Sequence, residues 1–167
     1  MHIRDATDAD LPEITDLFNA LLPTTTIAWR DDLTTIDEQR EWMREREQAG
    51  HPTLVAEDAG HVVGYCCWSS FRGGDRFPGY RHTVEHTIHV AETHHRRGIG
   101  RALLKALIER AEDSDVHVLV AAIDADNQAS IALHTARGFV ESARMHEVGR
   151  KHDRWLDLVL MQRILDA

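Results

Sequence analysis

Cysteine is almost missing from this chain of 167 residues: there are two, Cys66 and Cys67, and they are neighbours. Adjacent cysteines rarely bridge, which excludes a disulfide framework and makes a reducing, cytoplasmic setting the expectation. Long apolar runs are missing too. Nothing approaches the about 20 residues that a membrane span requires, and Met1-His2-Ile3-Arg4-Asp5 lacks the apolar stretch of a secretory leader, so no membrane partner is expected. No repeat, low-complexity tract or Pro/Gly/Ser linker divides the sequence, and one domain over residues 1–167 is the reading. Positive charge is in deficit, with 19 Lys and Arg against 28 Asp and Glu, a formal charge of −9. Such a field repels phosphate backbones, so nucleic acid is not an expected partner. What remains is an ordinary globular balance, 43% apolar and 28% charged, enough for one hydrophobic core.

Periodicity supplies a coarse layout. Residues 2–5 read as a short strand. Thr7 or Asp8 caps a helix whose Leu11, Ile14, Leu17, Phe18 and Leu21 form one apolar stripe. Thr35-Ile36-Asp37-Glu38 has the Thr-x-x-Glu form of a capping box and opens a second helix toward Gly50. Residues 53–57 and 62–70 read as a hairpin turning at 58–60, residues 71–80 as an exposed loop, and 83–90 as a strand. A helix over 98–112 follows, then a continuously apolar strand over 116–123, a helix over 127–137, and strands near 140–148 and 154–163. Hairpins first and a strand–helix–strand–helix unit after them predict an α/β domain with a mixed sheet whose later part is parallel.

The sharpest local feature is His95-Arg96-Arg97-Gly98-Ile99-Gly100-Arg101-Ala102, between a strand and an amphipathic helix. Glycines admit a ligand close to the backbone, the first helical amides point outward, and the dipole and arginines favour an anion, best a phosphate or pyrophosphate. The same glycines also suit a tight turn with solvated arginines, and the turn alone does not choose. Two nucleotide patterns are excluded. Gly-x-Gly-x-x-Gly requires glycine where Leu103 stands, and no Gly-Lys-Ser/Thr occurs.

Arg/Gln-x-x-Gly-x-Gly/Ala after a strand resembles the pyrophosphate signature of the GCN5-related N-acetyltransferases, with His95 in the first position here. Asn127 to His134 followed by Gly138-Phe139 resembles the last motif of that family. The segment Gly79-Tyr80-Arg81-His82-Thr83-Val84-Glu85-His86, the strand 83–90 and Arg154-Trp155-Leu156-Asp157-Leu158 resemble its phosphinothricin and methionine-sulfoximine subgroup. The likeness spans about residues 3–165. It implies an α/β fold of α+β type, a mixed, mostly antiparallel sheet flanked by helices, with a parallel strand pair opening around a coenzyme A site. It implies acetyl-CoA as cosubstrate and acetyl transfer to a small amine, without a metal. The resemblance places cofactor contacts at Ile88, His89, Val90, His95, Arg96, Arg97, Gly98, Ile99, Gly100, Arg101, Asn127 and Ser130, and a homodimer is common in the subgroup.

Acetyl transfer to an amine needs a base for the ammonium, donors for the thioester oxygen and an acid for the departing thiolate. Strand alternation puts Thr83, Glu85, Thr87 and His89 on one, more polar face, with Val84, Ile88 and Val90 on the other. Glu85 is the candidate base; a salt bridge to Arg81 or His82 is the structural alternative. Main-chain amides near residues 88–90 are the candidate oxyanion donors, by the same likeness. His134 stands where relatives carry a proton-donating tyrosine, on one helical face with Asn127 and Ser130, and is the candidate donor or relay.

The substrate contacts expected are Thr83, Glu85 and the loop residues Arg72, Asp75, Arg76 and Phe77, where arginine suits a carboxylate and aromatics an apolar side chain. Trp29 and Trp155 are candidate pocket walls. His82, His86, His89, His94 and His95 crowd one region, yet alternation prevents three from converging, so no metal site is expected. The rival readings are a coenzyme A sensor without chemistry and an acetyltransferase for peptide or ribosomal-protein amino termini.

Overall fold

The computed structural model describes residues 1–73 and 76–165. Its strands are β1 (His2–Asp5), β2 (Thr53–Asp58), β3 (His61–Ser70), β4 (Thr83–Val90), β5 (Val118–Asp124), β6 (Val140–Lys151) and β7 (Arg154–Ile164). The helices are α1 (Leu11–Leu21), α2 (Ile36–Gln48), α3 (Ile99–Glu112) and α4 (Gln128–Thr135). Local chemistry sets their starts. The Thr35 hydroxyl accepts the Glu38 amide at 3.2 Å while the Glu38 carboxylate accepts the Thr35 amide at 2.7 Å, closing the capping box of α2. The first helix departs from expectation: a 3-10 turn over Asp8–Asp10 precedes α1, with Pro12 in the first turn of the α-helix. Asp10 accepts the Thr7 amide and both terminal nitrogens of Arg4, each at 2.8 Å. The Arg4 guanidinium holds that carboxyl down to about 2.

One seven-stranded sheet runs in the order β1-β2-β3-β4-β5-β7-β6. The later part is not parallel as predicted. Among the described residues only β4 and β5 are parallel, because the β6–β7 hairpin inserts β7 antiparallel beside β5 and leaves β6 at the edge. The parallel seam is short, pairing Thr83 with Val118, Val84 with Leu119, Glu85 with Val120 and His86 with Ala121. Beyond His86 the strands part. Residues 87–90 of β4 stay paired with β3 only, and residues 122–124 of β5 with β7 only. A fork therefore opens in the sheet, with no strand pairing across it from either inner edge.

Two apolar clusters lie on opposite faces. One packs Leu103, Leu104, Leu107 and Ile108 of α3 against Leu54, Cys66, Trp68, Val84, Leu119, Val159 and Met161, and continues to Phe139. The other packs Ile14, Leu17 and Leu21 of α1 against Val55 and Tyr65. Cys66 and Cys67 are buried sheet residues whose thiols burial pushes up, away from reactivity. No helix among the described residues is long and apolar enough to cross a membrane.

Candidate active site

Glu85 stands one residue before the fork, opposite Ser69 on β3 and Val120 on β5. It makes no ion pair among the described residues: Arg81 donates instead to the Pro78 carbonyl at 3.2 Å, and His82 Nδ1 donates to the Asp115 carbonyl at 2.7 Å. Burial alone pushes the Glu85 carboxyl above the ordinary glutamate range. Its neighbours divide less simply than alternation implied. Thr87 is exposed, but His89, expected on an open polar face, is buried edge-on to Phe18 of α1 and tilted against Tyr65. Desolvation lowers its imidazole to about 4.

On the opposite face a contact absent from the sequence reading appears. His86 Nε2 lies 2.9 Å from His134 Nε2, and both rings are buried. They stack with centroids 5.1 Å apart, and Phe139 packs against each. His134 Nδ1 faces the Ser130 carbonyl at 2.7 Å. Burial lowers both imidazoles, so the pair is neutral near neutral pH. His134 therefore does not stand as the open proton donor expected: both of its nitrogens are engaged, and a neutral imidazole is a weak acid. Parity along 83–90 carried the only hint of His86, since it put that ring on the face away from Glu85.

The glycine turn leaves main-chain amides open at the start of α3. Gly98, with φ +82°, takes the left-handed conformation that starts α3, and Arg96 before it has φ 60°. No side chain caps this end, and the first helical bond is Ala102 N to Gly98 O at 3.0 Å, so the amides of residues 99–101 have no acceptor within the helix. Nothing lies within 4 Å of where a Cβ on Gly98 would stand, and Gly100 sits 3.4 Å from Leu133 by the same measure, which ties the turn to α4. Arg96 and Arg101 are exposed and have no ion-pair partner among the described residues. Arg97 is committed elsewhere, to Asp58 at 3.0 Å, and His95 Nε2 donates to the Val90 carbonyl at 3.0 Å. Both tie the turn to neighbouring strands. Ile99 is buried in the α3 core, while Ile88 and Val90 pack at its edge. Asn127 Oδ1 accepts the Ser130 amide at 3.1 Å and caps α4. Unclaimed amides, two free guanidinium groups and an unpaired fork fit a diphosphate-bearing acyl carrier.

The expected pocket walls separate. Trp29 lies flat on Gly149 of β6, where a Cβ would come 2.1 Å from its ring, and Lys151 Nζ donates to the Ala28 carbonyl at 2.7 Å to hold that loop down. Gly149 pairs with Leu156, and alternation along β7 carries that face to Gln162, opposite Val120 and thus on the Glu85 side. Trp155 consequently points to the other face, 61% exposed under Arg150, and does not join Trp29. In the loop, Arg72 sits 5.7 Å from the Tyr80 ring and Arg76 6.0 Å from Phe77, all exposed. Asp75 lies outside the described residues, and Thr83 is half-buried at the start of β4. Among the described residues no three His, Cys, Asp or Glu side chains come together as metal ligands.

Comparison with known proteins agrees with this geometry. A model of the acetyltransferase (GNAT) family matches residues 14–139. The chain is 44% identical over 165 residues to an L-methionine sulfoximine/L-methionine sulfone acetyltransferase of Pseudomonas aeruginosa, covering 98% of this chain and 94% of that one. Among solved structures, a ribosomal-protein-alanine N-acetyltransferase from Brucella melitensis superposes with a TM-score of 0.95 at 44% identity, covering 99% and 100% of the two chains. A GNAT phosphinothricin acetyltransferase from Sinorhizobium meliloti, in complex with acetyl-CoA, gives 0.94 at 34% identity, with coverage of 98% and 88%. The forked sheet, the uncapped helix behind it and the full-length likeness place this chain in the acetyltransferase (GNAT) family.

Proposed function

We propose that the chain is an acetyl-CoA-dependent N-acetyltransferase acting on the amino group of a small amino acid or analogue of the methionine sulfoximine, methionine sulfone or phosphinothricin type. One observation carries the chemistry: a half-buried carboxylate without an ion-pair partner among the described residues stands where the parallel seam ends. Glu85, raised by desolvation, takes the ammonium proton, directly or through a water, and the freed amine attacks the thioester. Those main-chain amides of β4 at residues 88–90 that face the fork and not β3 receive the charge that gathers on the carbonyl oxygen. The thiolate leaves without covalent help from Cys66 or Cys67. The amides of residues 98–101 hold the diphosphate, Arg96 and Arg101 screen it, and Asn127 and Ser130 line its other side.

Arg72 or Arg76 pairs with the acceptor carboxylate, and Trp29 with Phe77 covers its side chain. His134 acts within the buried pair, not as a free acid. The setting proposed is the cytoplasm, and the partner a second copy joined through the exposed edge strand β6, whose Val140, Met145 and Val148 face solvent.

The test is release of coenzyme A over methionine sulfoximine, methionine sulfone, phosphinothricin and natural amino acids, against peptides with free amino termini. Turnover of the amino acids is the expected result; turnover of peptides alone overturns the acceptor, and no release with any acceptor leaves a coenzyme A sensor. The name of the Brucella neighbour favours a second reading, acetylation of a ribosomal-protein alanine. Glu85→Gln should lower kcat at least about 100-fold with coenzyme A affinity nearly unchanged, the order expected for a lost general base.

A further inference from the structure

The β4–β5 seam ends at the pair His86–Ala121, and at that point His86 reaches across to His134 of α4. The hydrogen positions of the two rings follow from their contacts. A lone pair on His134 Nδ1 would face the Ser130 carbonyl oxygen at 2.7 Å, so Nδ1 carries the hydrogen and donates. A neutral imidazole has one N–H, which leaves His134 Nε2 bare as an acceptor. The 2.9 Å contact then requires the hydrogen on His86 Nε2. His86 Nδ1 is left bare, a buried nitrogen without a close hydrogen bond, although the Val120 main chain lies near enough to favour a hydrogen on this ring. Donation thus runs one way, from β4 through His134 to α4. Ser130 Oγ, 3.4 Å from His134 Nδ1, lies on the donor side of that ring, so its own hydrogen is free to point outward.

We propose that His86 is a positioning residue for acetyl transfer: its Nε2–H fixes the tautomer and angle of His134, and through it seats the first turn of α4, with Asn127 and Ser130, against the fork. The proposal rests on the reading of α4 as part of the acetyl-CoA site. It makes no demand that either imidazole give up a proton during turnover. Truncating His86 to an apolar side chain leaves the His134 acceptor buried without a donor and releases the turn; a side-chain amide, which also donates from an ε nitrogen, restores it.

The experiment compares His86→Leu and His86→Gln with the parent in steady-state kinetics, alongside proton-coupled nitrogen NMR of His134 in the parent without substrates. Expected are a His134 spectrum with Nδ1 protonated and Nε2 bare, a loss of ten- to hundredfold in kcat/KM for acetyl-CoA in His86→Leu with the acceptor KM unmoved, and recovery to within about threefold of the parent in His86→Gln. A parent spectrum showing Nε2–H on His134 overturns the proposal, as does a folded His86→Leu enzyme with the parent's kinetics. If His86→Leu fails to fold, the parent spectrum and the His86→Gln kinetics still decide, since a Gln variant as impaired as a deletion of the contact also overturns it. A parent that never turns over acetyl-CoA sinks the functional reading instead, and is told apart because the tautomer is read without substrate.

Discussion

At the residue scale, Glu85 and Gly149 are the positions whose chemistry is easiest to interrogate. The Glu85 carboxyl is raised by burial with no cation to offset it, so the acid limb of kcat/KM should lie above the usual glutamate range, falling as pH drops and the base becomes protonated. In Glu85→Gln that limb should vanish from the pH–rate profile; a limb that persists assigns the base elsewhere. Gly149 has an ordinary backbone, but any Cβ there meets Trp29 at 2.1 Å. Gly149→Ala should therefore push the tryptophan off β6, costing about 1–3 kcal/mol in urea unfolding and raising the acceptor KM more than that for acetyl-CoA. The sequence displayed Glu85 and the glycine turn openly, because both are local patterns. It concealed the pairing of His86 with His134, which depends on a helix returning to a strand 48 residues earlier. Trp155 misled for the opposite reason: an aromatic beside a motif says nothing about which face of a ribbon it takes.

Among the elements, α3 bears the largest share of the core, with Leu103, Leu104 and Leu107 fully buried beneath it. Leu107→Ala should cost about 2–5 kcal/mol, measured as a lower urea midpoint, because the closely packed cluster cannot collapse into the gap. Element limits were legible wherever capping or alternation marks them, as at Thr35 and over residues 83–90, where the strand is as predicted. They were less so where tertiary contacts intervene. Asp10 draws Arg4 and Thr7 onto one carboxylate and tightens the chain before α1 into a 3-10 turn. Nor did the strand order follow from periodicity, since a hairpin and a parallel return share the same alternation. The insertion of β7 beside β5 is settled by the long pairing of Val118 through Asp124 with Leu158 through Ile164.

For the whole molecule, three buried imidazoles set the response to acid. His86, His89 and His134 are neutral when folded and titrate near 6.5 when unfolded, so the unfolded chain binds more protons once pH falls below that value. Stability is then full above pH 6.5 and declines below it, by up to roughly 1.4 kcal/mol per pH unit for each histidine. For His89 the decline continues to about pH 4. Asp10, held at about 2, loses its contribution only below its unfolded value of 3.8 and leaves the interval between intact. Urea midpoints at pH 7.5, 6.5 and 5.5 should thus drop steeply across the last step; a flat series would mean that the rings are hydrated.

The two antiparallel portions of the sheet are joined by four parallel residue pairs and by the core under α3. Whatever fills the gap beyond His86 and Ala121 touches both portions at once and substitutes for the rungs that the backbone omits there. Saturation with acetyl-CoA at 100 times its dissociation constant adds about 2.7 kcal/mol of resistance to unfolding by mass action. If the proposed carrier binds there, amide exchange should slow most at residues 87–90 and 122–124.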